Sequence, residues 1–265
     1  MSLNLILILY SILLGLIIGS FLNVVISRLP QEKSVGGRSA CPKCNNKIAW
    51  YDNFPVVSFL LLRGKCRHCQ APISFLYPFV EVLTALLSYQ TFMWAEGDFV
   101  NYLLWFILFI SPLIAVIFID FKHQIIPDKI SLPGMPIGIA LQLYLQWPNW
   151  QEALLFSGKG ILIGGGFLFG LAYLYMAIRK REGMGGGDIK LLGLLGAFLG
   201  WQAIPFILLS SSLLAIIYAL FSKMFSGNKE EFVIPYGPFL VAAAFLFLFY
   251  GQQIISFYLN HFIYR

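Results

Sequence analysis

Long apolar runs broken by short polar intervals dominate the chain, and within the runs apolar side chains occupy every face of a helix rather than one stripe. That pattern is the mark of helices solvated by lipid, because a hydrocarbon core about 30 Å thick takes about 20 apolar helical residues to cross. Runs of this kind fall at roughly 3–26, 75–94, 102–119, 130–147, 155–178, 189–201, 204–222 and 238–259, the sixth being the shortest. About eight transmembrane helices, in an all-α integral membrane protein, are therefore expected. The first run has no Lys or Arg before Arg28 and is longer than the apolar core of a signal peptide, which predicts a retained helix.

One polar interval is long enough to be a small domain. The pattern divides the chain into a first membrane helix (1–26), an insert (27–74) and a multi-helix membrane core (75–265). Composition agrees with this reading: 59% of the 265 residues are hydrophobic and only 11% charged, more apolar than a soluble domain needs. Charge adds an orientation. Of eighteen Lys and Arg, eight lie in the first loop, two after the third run, four after the fifth and two after the seventh, leaving only Lys159 and Arg265 elsewhere. With eight spans those loops share one face, and the positive-inside rule makes that face cytoplasmic and both termini periplasmic. The net charge of +6 is thus a topology signal, and no segment reads as a nucleic-acid module.

All four cysteines sit in the insert, as CPKC at 41–44 and CRHC at 66–69. Two such knuckles separated by 21 residues have the spacing of a zinc ribbon, in which Cys41, Cys44, Cys66 and Cys69 hold one tetrahedral ion. A domain of fewer than ~50 residues buries too little apolar surface to fold readily alone, and a metal supplies the missing stability. Disulfides or buried thiols are the other readings, and a cytoplasmic location disfavours disulfides. Lys43, Lys65 and Arg67 would help to keep the thiolates ionised, and His68 is expected at the surface. The intervening FPVVSFLLL (54–62) is too short to span and is expected as a buried strand or a segment lying against the membrane.

Two carboxylates stand where apolar runs end. Asp120 closes the third run, with Asp128 following Pro127, and Asp188 opens the sixth within GMGGGDIK (183–190). The topology brings Asp120 and Asp188 to one membrane face and one depth. Charge kept within a bilayer costs roughly 2.5–3.5 kcal/mol per residue on insertion scales and marks function by default. A close carboxylate pair shares a proton, so its ionised member can take a proton from water while its protonated member polarises a peptide carbonyl. Gly185, Gly186 and Gly187 would let a substrate backbone approach, and the helix start favours an ionised Asp188. Against this stands the reading of two ordinary interfacial carboxylates beside a loose glycine loop.

The residues GSFLNVVISRLP (19–30), the two knuckles, YPFVE (77–81), Asp120 through Pro127 and Asp128, GMGGGDIK and IPYGPFL (234–240) together resemble the type IV prepilin peptidases over nearly the whole chain. The resemblance implies an enzyme of the bacterial inner membrane that cuts the basic leader from prepilins or pseudopilins at the cytoplasmic face. It further implies N-methylation of the new N-terminus with S-adenosylmethionine. It assigns the catalytic dyad to Asp120 and Asp188 and a supporting role to Asp128. Leu76 departs from the family, many of whose members carry a basic residue before YPFVE. Asn23 and Glu81 could line the same cavity or tie helices together, and Lys190 could neutralise charge near the dyad or reach the headgroups. For IPYGPFL the expectation is a turn opening the last helix. No stretch reads as a nucleotide-binding methyltransferase, so the methyl-donor site is unassigned and a peptidase without methyl transfer is the alternative. A proton-coupled transporter is the remote one, and it lacks the repeated halves such proteins often show.

Overall fold

The computed structural model describes residues 3–180, 185–225, 234–258 and 260–261. Gly183 and Met184 of the glycine motif, and Arg181, Lys229 and Arg265 of the basic set, lie outside them. The described residues are helical throughout apart from turns and two isolated β-bridges. The chain forms two compact units, Met1–Ala115 and Val116–Arg265.

In the first unit, α1 (Leu3–Arg28) packs along α3 (Leu76–Trp94). Gly15 and Gly19 make this possible, since a Cβ on Gly15 would lie 2.6 Å from the Ala85 Cα and one on Gly19 would lie 2.7 Å from the Glu81 Cα. Small residues at a helix contact substitute close backbone packing for the hydrophobic drive that lipid removes. Ser88 seals the contact, bonding the Ser11 carbonyl at 2.6 Å and the Tyr102 hydroxyl at 2.7 Å. Leu5, Leu9, Leu13, Ile17 and Phe21 recur every four residues on the outer face of α1 and are exposed, the lipid-facing stripe of a spanning helix. A helix from Phe99 to His123 follows, made of α4 (Phe99–Trp105), one π-turn (Phe106–Ile110) and α5 (Ser111–His123). Asp98 caps its start by accepting from the Val100 and Asn101 amides, both at 3.0 Å.

Between α1 and α3 lies the insert. Its intervening segment forms a 3₁₀ turn (Trp50–Asn53) and a short helix α2 (Val57–Leu61), not the buried strand that was one expectation. Leu60 and Leu61 are 67% and 79% exposed, so the segment has no second layer to bury it as a strand would require.

The second unit is organised around α8 (Gly186–Leu199), with α6 (Asp128–Leu145), α7 (Trp150–Arg179), α9 (Ala203–Phe225) and α10 (Gly237–Tyr258) packed on it. Every residue from Leu191 to Leu199 is buried, which explains a helix apolar on all sides. At 14 residues α8 extends ~21 Å, short of a bilayer core. Gly160 of α7 and Gly196 of α8 face each other so closely that a Cβ on either would fall on the other's carbonyl oxygen. Ser157 and Gln142 donate to the α8 carbonyls of Ala197 at 2.9 Å and Phe198 at 2.6 Å. A Gly160→Leu substitution is expected to force α7 away from α8 and cost on the order of 3 kcal/mol, read as a lower thermal midpoint in detergent. Gly158→Leu, with open space around its Cβ position, is the control that should leave the midpoint unchanged.

Five helices are long and apolar enough to cross a membrane: Leu5–Gln31, Phe99–His123, Trp150–Arg179, Ala203–Met224 and Gly237–Phe257. The outer face of α9, with Leu209, Leu213, Ile216, Leu220 and Met224 exposed, has the apolar surface that lipid covers.

Candidate active site and metal centre

The end of α5, the loop after it and the starts of α8 and α10 meet at one place in the second unit. Asp120, one turn before the end of α5, is 5% exposed and accepts a 3.0 Å hydrogen bond at Oδ2 from the Gly237 amide, the first residue of α10. The free amides of a helix start are ready donors for a carboxylate. Asp188 is the third residue of α8, half-buried, and close enough to Asp120 to feel its charge. Two carboxyl groups of distant sequence thus share one electrostatic environment.

The glycines divide the work. A Cβ on Gly237 would lie 2.7 Å from Asp120 Oδ2 and 3.1 Å from Ile126 Cδ1, and one on Gly187 would lie 3.0 Å from Ile126 Cβ. Ile126 is therefore the plug between the two helix starts, and these two glycines exist to receive it and Asp120. Gly186 has open space around its Cβ position, and the nearest atom to that position on Gly185 is Asp188 Oδ2 at 3.8 Å. Of the described glycines in the motif, Gly185 and Gly186 keep room beside Asp188 for a backbone to approach. Neither Ile126 nor Gly237 was singled out from sequence. IPYGPFL runs from an irregular segment (234–236) straight into α10 with Pro238 as its second residue, and it supplies an Asp120 donor, while the Tyr236 hydroxyl hydrogen-bonds Ser211 at 2.8 Å.

Lys190 reaches the carboxylate of Asp128 with both oxygens, at 2.7 and 2.9 Å, joining the start of α6 to the first turn of α8. Its charge is committed there. In the first unit, Asn23 donates to the Tyr77 carbonyl at 3.1 Å and Glu81 accepts from the Val56 amide at 2.8 Å, both side chains being buried. Leu76 begins α3 and is exposed.

The four cysteine sulfurs lie within 4.8 Å of one another, unbridged, in an arrangement that can hold a metal ion. Bridges Ala40–Lys47 and Lys65–Pro72 close a turn around each knuckle. Backbone amides of Cys44 and Lys43 pull the Cys41 thiol down to about 6 from its ordinary 9.0. The charges of Lys43, Lys65 and Arg67, expected to help, are not among the causes of that shift. Arg67 is instead engaged with Asp52 through bonds of 2.7 and 2.5 Å and holds that carboxyl below the usual carboxylate range. His68 is exposed, as anticipated.

Two family models match the chain: the bacterial Peptidase A24 N-terminal domain over residues 13–95 and the type IV leader peptidase family over residues 107–220. A protein of Aeromonas hydrophila named prepilin leader peptidase/N-methyltransferase is 37% identical over 95% of this chain and 93% of its own length. The chain belongs to the type IV leader peptidase family. Another member, the prepilin leader peptidase/N-methyltransferase of Pseudomonas aeruginosa, is 35% identical over 96% of this chain and 93% of its own length. That of Dichelobacter nodosus is 36% identical over 91% of both chains. No solved structure matches. The first family model spans the cysteine knuckles and the second spans Asp120 and Asp188, so membership draws on both units.

Proposed function

We propose that the protein removes the basic leader of type IV prepilins or pseudopilins and then methylates the new N-terminus with S-adenosylmethionine. The observation that carries the reading is the pair Asp120 and Asp188, joined electrostatically at a site built from three helix ends. In this reading one carboxylate takes a proton from water, which attacks the scissile carbonyl, and the protonated partner donates to the carbonyl oxygen. Gly237 fixes Asp120 through its amide, the Asp128–Lys190 pair fixes the start of α8, and Gly185 and Gly186 leave room for substrate. Within the first unit, Asn23 and Glu81 tie the start of α3 to α1 and to the insert through the Tyr77 carbonyl and the Val56 amide.

Eight spans in the inner membrane, with both termini periplasmic and the aspartates at the cytoplasmic face, is the topology we assign. The five long apolar helices, the concentration of basic residues on alternate loops and the burial of α8 among its neighbours support it. Residues 1–26 form the first membrane helix, 27–74 the metal-binding insert and 75–265 the peptidase core. We assign zinc to the insert: Zn–S bonds of about 2.3 Å in a tetrahedron place sulfurs ~3.8 Å apart, and the Cys41 and Cys69 sulfurs are 3.8 Å apart. S-adenosylmethionine supplies an electrophilic methyl group when bound.

The direct test incubates membranes holding the protein with a prepilin and S-adenosylmethionine and reads the product mass. Loss of the leader plus one methyl group is expected; loss of the leader alone would select a peptidase without methyl transfer, and no cleavage would overturn the reading. Gly237→Ala supplies a second test, because its methyl group would displace the Asp120 carboxylate. Cleavage is expected to fall by roughly 10² with a near-normal KM, since the misplacement acts on the reacting geometry. Gly186→Ala, whose added methyl group meets nothing, should keep the parent's thermal midpoint.

A further inference from the structure

Among the described residues, two buried side-chain atoms have no hydrogen-bond partner: Asn101 Oδ1 in the first unit and His123 Nε2 in the second. Buried polar atoms are nearly always paired, because an unpaired one forfeits its bonds to water with nothing in return. An orphan is therefore informative by its place. Asn101 sits in the first turn of α4, in the unit without the aspartate pair. His123 sits one turn beyond Asp120.

Along α5, Leu113, Val116 and Asp120 are all buried. They fall at the i, i+3, i+7 spacing of one helix face, and i+10 on that face is His123. The inward stripe thus ends in two polar side chains, of which Asp120 accepts from the Gly237 amide while His123 Nε2 has no partner. Cβ atoms three residues apart on a helix are about 5–6 Å apart, so the ring shares the carboxylate's side of α5. The helix stops straight after it. Gln124 is left-handed at φ 54°, and its amide closes on the Asp120 carbonyl at 2.9 Å. The chain then returns so that Ile126 fills the gap between the starts of α8 and α10. An unpaired ring nitrogen is left fixed at the edge of the aspartate site.

What satisfies it is set by what must lie there. A peptide being cut is extended, with main-chain N–H and C=O groups that it cannot pair within itself, and in a site as buried as that of Asp120 the enzyme has to supply their partners. An imidazole Nε2 donates in one tautomer and accepts in the other, so it can meet either group. In the topology assigned above, His123 lies nearer the cytoplasmic end of α5 than Asp120 does, which is the leader side of the scissile bond. Three residues of helix advance ~4.5 Å, and an extended chain advances ~3.3 Å per residue. We infer that His123 Nε2 binds the main chain of the leader one or two residues before the cut, making His123 a substrate-binding residue of the aspartate site. The inference rests on the peptidase reading and deepens it. Such a bond reads no side chain, so it sets register: it holds the extended leader with the scissile carbonyl over the aspartate pair.

The test compares kcat and KM of the full-length protein in detergent, acting on a purified prepilin, for the parent and three variants. Gln carries a polar atom close to the position of Nε2, Asn close to that of Nδ1, and Leu carries neither. His123→Leu and His123→Asn are expected to raise KM at least tenfold with kcat within threefold of the parent, the signature of binding lost equally from ground and transition states. His123→Gln is expected to stay within threefold of the parent in both. The thermal midpoint of His123→Leu should be no lower than the parent's, because an apolar group replaces an atom that had no partner. Crosslinking gives a check that leaves His123 in place: a prepilin with benzoylphenylalanine at the second residue before the cut, held by the Asp188→Asn protein, should label the segment 119–128. Unchanged KM in His123→Leu, a His123→Gln protein as impaired as His123→Leu, a lowered His123→Leu midpoint, or no label in 119–128 would overturn the assignment and leave the peptidase reading standing. No cleavage by the parent would overturn both.

Discussion

An Asp188→Asn protein is expected to insert and fold like its parent yet lose prepilin cleavage by roughly 10²–10⁴-fold, the range that removal of a general acid or base produces. Asp120→Asn should do the same. The reason lies in the proposed pairing: Asp188 lies near enough to Asp120 to feel its charge, the useful state is one proton shared by two groups, and an amide can neither take that proton nor give it back. The double variant should be little worse than either single one, because residues acting as a unit are strongly non-additive. Folding is not expected to suffer, since Asn keeps the size of Asp120 and can still accept from the Gly237 amide. Rates measured on a purified prepilin, beside thermal midpoints of the same preparations, decide the matter. Activity within tenfold of the parent in either single variant would remove that residue from the chemistry.

Replacing Cys41 and Cys44 by Ser is expected to take the zinc content from about one ion per chain to none, and to unfold the insert without unfolding the membrane helices. Serine hydroxyls are poor zinc ligands, and a two-thiolate remnant cannot close a tetrahedral site. The metal's share is large, because structural zinc binding contributes about 10–16 kcal/mol in isolated zinc-finger peptides at pH 7. Little else holds this region: it has two isolated bridges, a five-residue helix and the Asp52–Arg67 pair, with Trp50, Phe54, Leu60 and Leu61 exposed. Metal analysis and limited proteolysis measure the two effects, with new cleavage expected between residues 39 and 74. A parent protein free of zinc would end the assignment.

Helix positions were legible because the signal in a lipid-solvated chain is simple: a spanning helix must hide its backbone and present hydrocarbon for about 20 residues. Expected and observed helices agree closely from Leu76 to Trp94 and from Gly237 onward. The third run proved longer, Phe99–His123 against 102–119, because apolar content dips at its ends while hydrogen bonding and the Asp98 cap continue. The 54–62 segment was misjudged as a possible strand since a short apolar run looks alike whether it is strand or helix.

What the amino-acid sequence determined by itself is the all-helical membrane character, the grouping of four cysteines into one ligand set, and the two aspartates placed at the ends of apolar runs. Each of these depends on local composition or on spacing along the chain. Tertiary structure alone decided which glycines receive a neighbour and which leave space, that Gly237 donates to Asp120, that Ile126 fills the gap between two helix starts, and that Lys190 is committed to Asp128. These are contacts between residues tens to more than a hundred positions apart, and glycine, isoleucine and lysine each have many bland uses in a membrane helix. Nothing in their own neighbourhoods distinguishes one use from another until close packing brings the partner within reach.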